Sequence, residues 1–340
     1  MKLLYPLSKQ WNFKLMGVYI LSTGSSIPTF SVENQQFENI IETSDHWIST
    51  RTGIKKRHLA PSSISLTKLA AEAANNALSA AKLKPTDINL IILATSTPDD
   101  LFGSASQLQA EIGATKSFAF DITAACSGFI VALVTAAQFI QTGSYERVLV
   151  VGADTMSRWI NWSDRTTCIL FGDGAGAVVM EQSRKNSILG FKLCTDGQLN
   201  SNLQLLNKSV KNQKFGVTEI PYGNYNYITM NGKEVYKFAV FQVPKLIKQC
   251  LNNVNISINE VDWFILHQAN TRILEAIASR LSIPSSKMIT NLEHYGNTSA
   301  ASIPLALDEA IKSNKIQPGQ IVVLSGFGAG LTWGVVVLKW

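Results

Sequence analysis

The chain has 340 residues, 46% hydrophobic and only 16% charged, which is ample apolar material for a large core and excludes a disordered or low-complexity chain. The formal net charge is +6, but Lys and Arg are scattered, without the basic run or aromatic strip that would hold nucleic acid; an anionic substrate or acidic protein partner fits better. No apolar stretch approaches the roughly 20 residues of a membrane span, and four cysteines without C-x-x-C spacing argue against a disulfide framework or a zinc site.

Residues 1–15 have neither a small-residue cleavage site nor transit-peptide character and read as an N-terminal extension. A helix is predicted over 66–83, then an unbroken apolar strand over 90–93, a helix over 128–142 and a strand over 148–151. Gly172-Asp173-Gly174-Ala175-Gly176 lacks the strand-to-helix setting of a nucleotide loop and precedes a β-like segment, so a tight turn is expected. A strand over 264–266, helices over 272–281 and 300–312, and a strand over 321–324 follow. None of these strands alternates with polar residues, which suits burial on both faces and an α/β layered architecture.

The pattern occurs twice. Asp87-Ile88 with the strand at 90–93 matches Glu260-Val261 with Trp263 to Leu266, Val148 to Val151 matches Ile321 to Leu324, and Leu21 to Gly24 matches Cys194 to Gly197. All three pairs lie 173 residues apart. The spacing implies two similar halves, 16–185 and 186–340, joined near 183–187 and packed as one unit.

Cys126 sits among small residues directly before an apolar helix, where unpaired N–H groups and the helix dipole favour a thiolate below the usual thiol pKa of about 8.5. The motif alone admits a nucleophile or a buried structural thiol; for Cys168, Cys194 and Cys250 the structural reading is preferred. His267 closes an apolar strand, where α/β folds place ligand-contacting groups and where an imidazole can exchange protons, though a structural histidine fits that position too. Asn297 precedes a small-residue helix start; the repeat maps Cys126 to Ser299 and so places Asn297 near the cysteine, with an N-cap as the alternative. Gly326 to Gly330 follow the strand at 321–324, and their N–H groups suit an oxyanion hole.

Ser44-Asp45-His46-Trp47-Ile48 with Arg51-Thr52-Gly53-Ile54, Ala125-Cys126-Ser127-Gly128, Phe171 to Gly176, His267-Gln268-Ala269-Asn270 and Gly296-Asn297-Thr298-Ser299 together resemble the β-ketoacyl-acyl carrier protein synthase III family over 16–340. The resemblance implies a thiolase-like five-layered αβαβα fold with an internal two-fold duplication, a homodimer, and acyl transfer from acyl-CoA to Cys126 followed by condensation with malonyl-acyl carrier protein. It assigns catalysis to Cys126, His267 and Asn297, and the oxyanion hole to the N–H groups of Cys126 and Ala329. Trp47, Arg51 and Arg165 would contact CoA, Arg272 and Lys237 the acidic carrier protein, and Phe102 and Phe327 the acyl chain. No metal or redox cofactor is implied, and the location would be a bacterial cytoplasm or a plastid. A related acyltransferase of secondary metabolism and a cysteine hydrolase are the competing enzyme readings, and a partner subunit without activity is the non-enzymatic one.

Overall fold

Two five-stranded sheets organise the chain. The structure is a computed structural model that describes residues 16–207, 212–215, 218–221 and 224–340; the extension read at residues 1–15 lies outside the described residues. The first sheet runs, in spatial order, Gly17–Ser26, Asp173–Ser183, Arg147–Thr155, Leu90–Ala94 and Phe118–Ile122. The second runs Ile188–Thr195, Thr332–Lys339, Ile321–Gly328, Trp263–Leu266 and Met288–Ile289. In each, the first two junctions are antiparallel and the last two parallel. Strand order and direction are thus the same in both sheets.

Side chains alternate across each strand and both faces are covered, which explains the unbroken apolar runs. Leu90, Ile92 and Ala94 face the shared core with Ile265, Val322 and Leu324 of the other sheet, and between the sheets lie the helices Gly128–Gln141 and Ser302–Lys312. Ile91 and Leu93 face outward against Leu66–Ala81 and Ala105–Ile112. Phe264 and Leu266 face outward against Gly232–Asn253 and Thr271–Leu281. The layers are therefore helix, sheet, helix, sheet, helix, the five-layered thiolase-like arrangement. No helix among the described residues is long and apolar enough to cross a membrane.

Two expectations need correction. Gly172 to Gly176 form no tight turn: strand Asp173–Ser183 begins inside the motif. These glycines serve close packing, since a Cβ at Gly176 would come within 2.7 Å of Pro304 and one at Gly172 within 2.3 Å of the Tyr295 carbonyl. The 173-residue register also slips by one at the cysteine. The 3-10 turns Ala125–Ser127 and Ser299–Ala301 both start on a left-handed residue, Ala125 (φ 47°) and Ser299 (φ 51°), so Cys126 corresponds to Ala300 and not to Ser299.

Candidate active site

Cys126 occupies the middle of its 3-10 turn, immediately before helix Gly128–Gln141. The end of strand Ile321–Gly328 presses on it: a Cβ at Gly328 would lie 2.8 Å from the Cys126 nitrogen. From the other side comes the Ser299–Ala301 turn, whose Ala300 N–H donates at 3.1 Å to the fully buried Asp154 carboxylate; Thr95, Ser96 and Thr97 also donate to that carboxylate. Burial raises Asp154 above the usual carboxylate range. Burial also pushes the Cys126 thiol up to about 12, the reverse of the lowering expected from its place at a helix start. Desolvation of the charged form outweighs the helix dipole here, so the resting group is the thiol.

His267 follows strand Trp263–Leu266 and is buried against Phe327, whose ring meets it edge-on with centroids 5.1 Å apart. Its Nδ1 lies 2.7 Å from the Ser302 hydroxyl, and that oxygen also accepts the Gln268 N–H at 3.4 Å. A Ser302 hydroxyl that donates to Nδ1 places the ring hydrogen on Nε2, the nitrogen left for the cavity. Desolvation pushes the imidazole down to about 3, so it is neutral at physiological pH.

That shift has a stability consequence. A histidine titrating near 6.5 when unfolded and about 3 when folded gives stability that is complete above 6.5 and lost as pH falls from there toward 3. Urea unfolding of wild type should lose roughly 1.4 kcal/mol per pH unit through this group below about pH 6. His267→Gln should flatten that slope, and an unchanged slope would mean that other groups govern acid stability.

Asn297 is held by its backbone. Its N–H donates to the Leu170 carbonyl at 2.9 Å, and its carbonyl accepts the Gly172 N–H at 3.0 Å. Its side-chain Oδ1 accepts the Ser299 N–H at 2.9 Å. Nδ2 makes no hydrogen bond among the described residues, which leaves it as a donor at the cavity.

One cavity of about 670 Å3 joins these groups: Cys126, His267, Asn297 and Phe327 line its floor, and Arg51, Lys237 and Arg272 line it too. Lys237 pairs with Glu234 at 2.7 Å on the surface. Arg51 comes from helix Asp45–Thr52, capped by Ser44 and ended by the left-handed Gly53, where a Cβ would strike Thr271 Oγ1 at 1.8 Å. Asn270 donates to the Arg51 carbonyl at 3.2 Å and so fixes the two helices together. Trp47 and Arg165 lie outside the cavity lining, with the Arg165 guanidinium 4.6 Å and that of Arg51 4.9 Å from the Trp47 ring centroid. Arg165 therefore rests on the indole, and a base entering between them would have to part the two.

Phe102 and Ala329 border a second cavity, of about 1200 Å3, with Ala124 and Ala125 on its wall next to Cys126. Phe102 is fully exposed in the single chain and does not touch the first cavity. Ser302, Asp154 and the clamp at Leu170 and Gly172 were not singled out from the sequence. Their partners are 34 or more residues away, and no local pattern marks them.

A duplicated five-layer fold with a cysteine, a histidine and an asparagine around one buried cavity defines the class, a thiolase-like condensing enzyme. Known proteins narrow it. Residues 120–197 match the family model described as 3-oxoacyl-[acyl-carrier-protein] synthase III, and residues 251–340 match the model of its C-terminal part. A β-ketoacyl-[acyl-carrier-protein] synthase III of Porphyra purpurea is 81% identical over 96% of this chain and 100% of its own. One from Trichormus variabilis is 54% identical over 96% of this chain and 98% of its own. The crystal structure of 3-oxoacyl-[acyl-carrier-protein] synthase III from Aquifex aeolicus superposes with a TM-score of 0.89 at 43% identity, covering 95% of this chain and all of that one. The chain belongs to the β-ketoacyl-acyl carrier protein synthase III family, and it is an acyltransferase of the condensing type.

Proposed function

We propose that the chain starts fatty acid chains by condensing an acyl-CoA, acetyl-CoA being the primer, with malonyl-acyl carrier protein. The observation that carries this reading is the cavity in which a thiol, a neutral imidazole and an unengaged amide donor meet. Cys126 Sγ forms a bond to the acyl carbon, the C–S bond to CoA breaks, and the thiol proton ends on the departing CoA sulfur. The N–H groups of Cys126 and Ala329 hold the oxyanion of that step.

In the second half-reaction the malonyl thioester loses CO2, and its two bonding electrons become an enolate whose oxygen accepts from His267 Nε2–H and Asn297 Nδ2. The enolate carbon attacks acyl-Cys126, Cys126 leaves as the thiolate and takes a proton from solvent, and 3-oxoacyl-carrier protein is released. Electrons and atoms balance without a metal or redox cofactor. Desolvation pushes His267 down to about 3 and makes it a weak base, which suits a hydrogen-bond donor to the enolate better than a general base and supports condensation over cysteine hydrolysis.

Arg51, with Trp47 and Arg165 behind it, receives the CoA nucleotide, and Lys237 and Arg272 receive the acidic carrier protein at the cavity mouth. Phe327 lines the acyl site. Leu101 and Phe102, exposed apolar side chains at the rim of the second cavity, are covered by a second copy, with Phe102 closing the partner's acyl pocket. A mass near twice that of the chain in light scattering is expected; a monomer would rule this out. The relatives in Porphyra and Trichormus suit a plastid or a bacterial cytoplasm.

The test is one incubation. Purified protein with acetyl-CoA should gain one acetyl group in intact-mass measurement, and malonyl-carrier protein should then discharge it as the 3-oxoacyl product. Release of free acetate with no 3-oxoacyl product would favour a hydrolase, and preference for another primer would favour a secondary-metabolic relative.

A further inference from the structure

Arg57 is completely buried. Its Nη1 donates to Asn34 Oδ1 at 2.7 Å, its Nη2 donates to the Ile169 carbonyl, and its guanidinium lies 4.5 Å from the Phe37 ring centroid. Nε has no hydrogen-bond partner, and among the described residues no carboxylate comes within ion-pair distance. Burial lowers the group to about 10, so it remains charged at neutral pH. A buried cation without an anion is costly, and an apolar side chain of similar volume is often as stable or more so. Packing alone gives no reason for an arginine here.

What the arginine holds does. The Ile169 carbonyl belongs to the segment that seats Asn297 through Leu170 and Gly172, with Phe171 bridging Asn297 in parallel. The stem of Arg57 lies along the same clamp: a Cβ at Gly172 or Gly296 would stand 3.2 or 3.3 Å from Arg57 Cβ. On the other side, Asn34 commits its amide hydrogens to Asp45 Oδ1, Ser49 Oγ and the Ile54 carbonyl at 2.8, 3.1 and 2.7 Å. Asp45 and Ser49 sit on the helix that carries Trp47 and Arg51. One guanidinium thus spans the helix of the proposed nucleotide contacts and the backbone of Asn297.

We propose that Arg57 is a positioning residue for decarboxylation, fixing Asn297 through the Ile169 carbonyl and registering it, through Asn34, against the nucleotide-binding helix. This rests on the assignment of Asn297 to the second half-reaction. Arg57→Met fills the same space without charge, and Arg57→Lys keeps the charge and one of the two hydrogen bonds.

The expected result is a folded Arg57→Met protein that melts somewhat below wild type, because Asn34 Oδ1 and the Ile169 carbonyl lose their donor, with acetylation of Cys126 at saturating acetyl-CoA within about 3-fold of wild type and CO2 release from malonyl-carrier protein slower by about 10- to 100-fold. Arg57→Lys should fall between the two. In an Asn297→Ala background, Arg57→Met should add no further loss, because both changes act on the same donor. Equal loss of both half-reactions, unchanged CO2 release, additive losses, or failure of both variants to fold would each overturn the proposal. If Asn297→Ala itself releases CO2 at the wild-type rate, the assignment of Asn297 is wrong and this one falls with it. A normal Asn297→Ala phenotype beside an inert Arg57→Met overturns Arg57 alone.

Discussion

Cys126→Ser should accumulate no acetyl adduct from acetyl-CoA, and its condensation rate should fall by at least about 1000-fold, with unfolding within about 0.5 kcal/mol of wild type. Serine fills nearly the same volume, so the turn and the contact with Gly328 survive. What is lost is ionisation. Even the thiol is pushed up to about 12 by burial, and the neighbouring His267, held near 3, is a weak base. A hydroxyl in the same place has no means of becoming an alkoxide. The same reasoning predicts that wild-type acetylation accelerates with rising pH across the neutral range, because the thiolate fraction of a group titrating near 12 grows tenfold per unit. Intact mass against time at three pH values reads both effects. A wild-type rate that is flat with pH would show that the thiol is already ionised at rest, and an acetylated Cys126→Ser protein would show that the acyl group does not depend on the thiol.

The layers and the three residues that meet at the cavity were legible because each has a local signature. Double-faced strands such as Leu90–Ala94 and Trp263–Leu266 are unbroken apolar runs, and Cys126, His267 and Asn297 each break such a run or precede a small-residue helix start. The edge strand Gly17–Ser26, expected directly after the extension, runs on through polar Ser22 to Ser26, whose hydroxyls are satisfied by Ala77, Asp308 and Glu72 from distant helices. Helix Gly232–Asn253 hid behind an internal Pro244 and a lysine-rich outer face. The state of the thiol could not be read, since it depends on burial depth, which only tertiary packing sets. Arg57 and Asn34 are a like case: as sequence they are a surface-type arginine and asparagine, and only the fold removes both from water.

Asn297→Ala should leave acetylation of Cys126 near wild type while slowing CO2 release from malonyl-carrier protein by about 100- to 1000-fold, the usual cost of one lost oxyanion donor. In the proposed mechanism acyl transfer uses backbone donors, whereas the enolate forms at the cavity where Nδ2 makes no hydrogen bond among the described residues. The alanine variant has a second effect, however: it removes the Oδ1 acceptor of the Ser299 N–H, and Ser299 is a left-handed residue that needs its anchors. Asn297→Asp separates the two. Aspartate keeps an oxygen for the Ser299 N–H but offers the enolate a negative charge in place of a donor. Decarboxylation lost in both variants, with acetylation kept in both, assigns the effect to the Nδ2 donor. Decarboxylation retained in Asn297→Asp would place the whole effect in the Ser299 turn instead, and Asn297 would then be a cap and not an enolate-binding group.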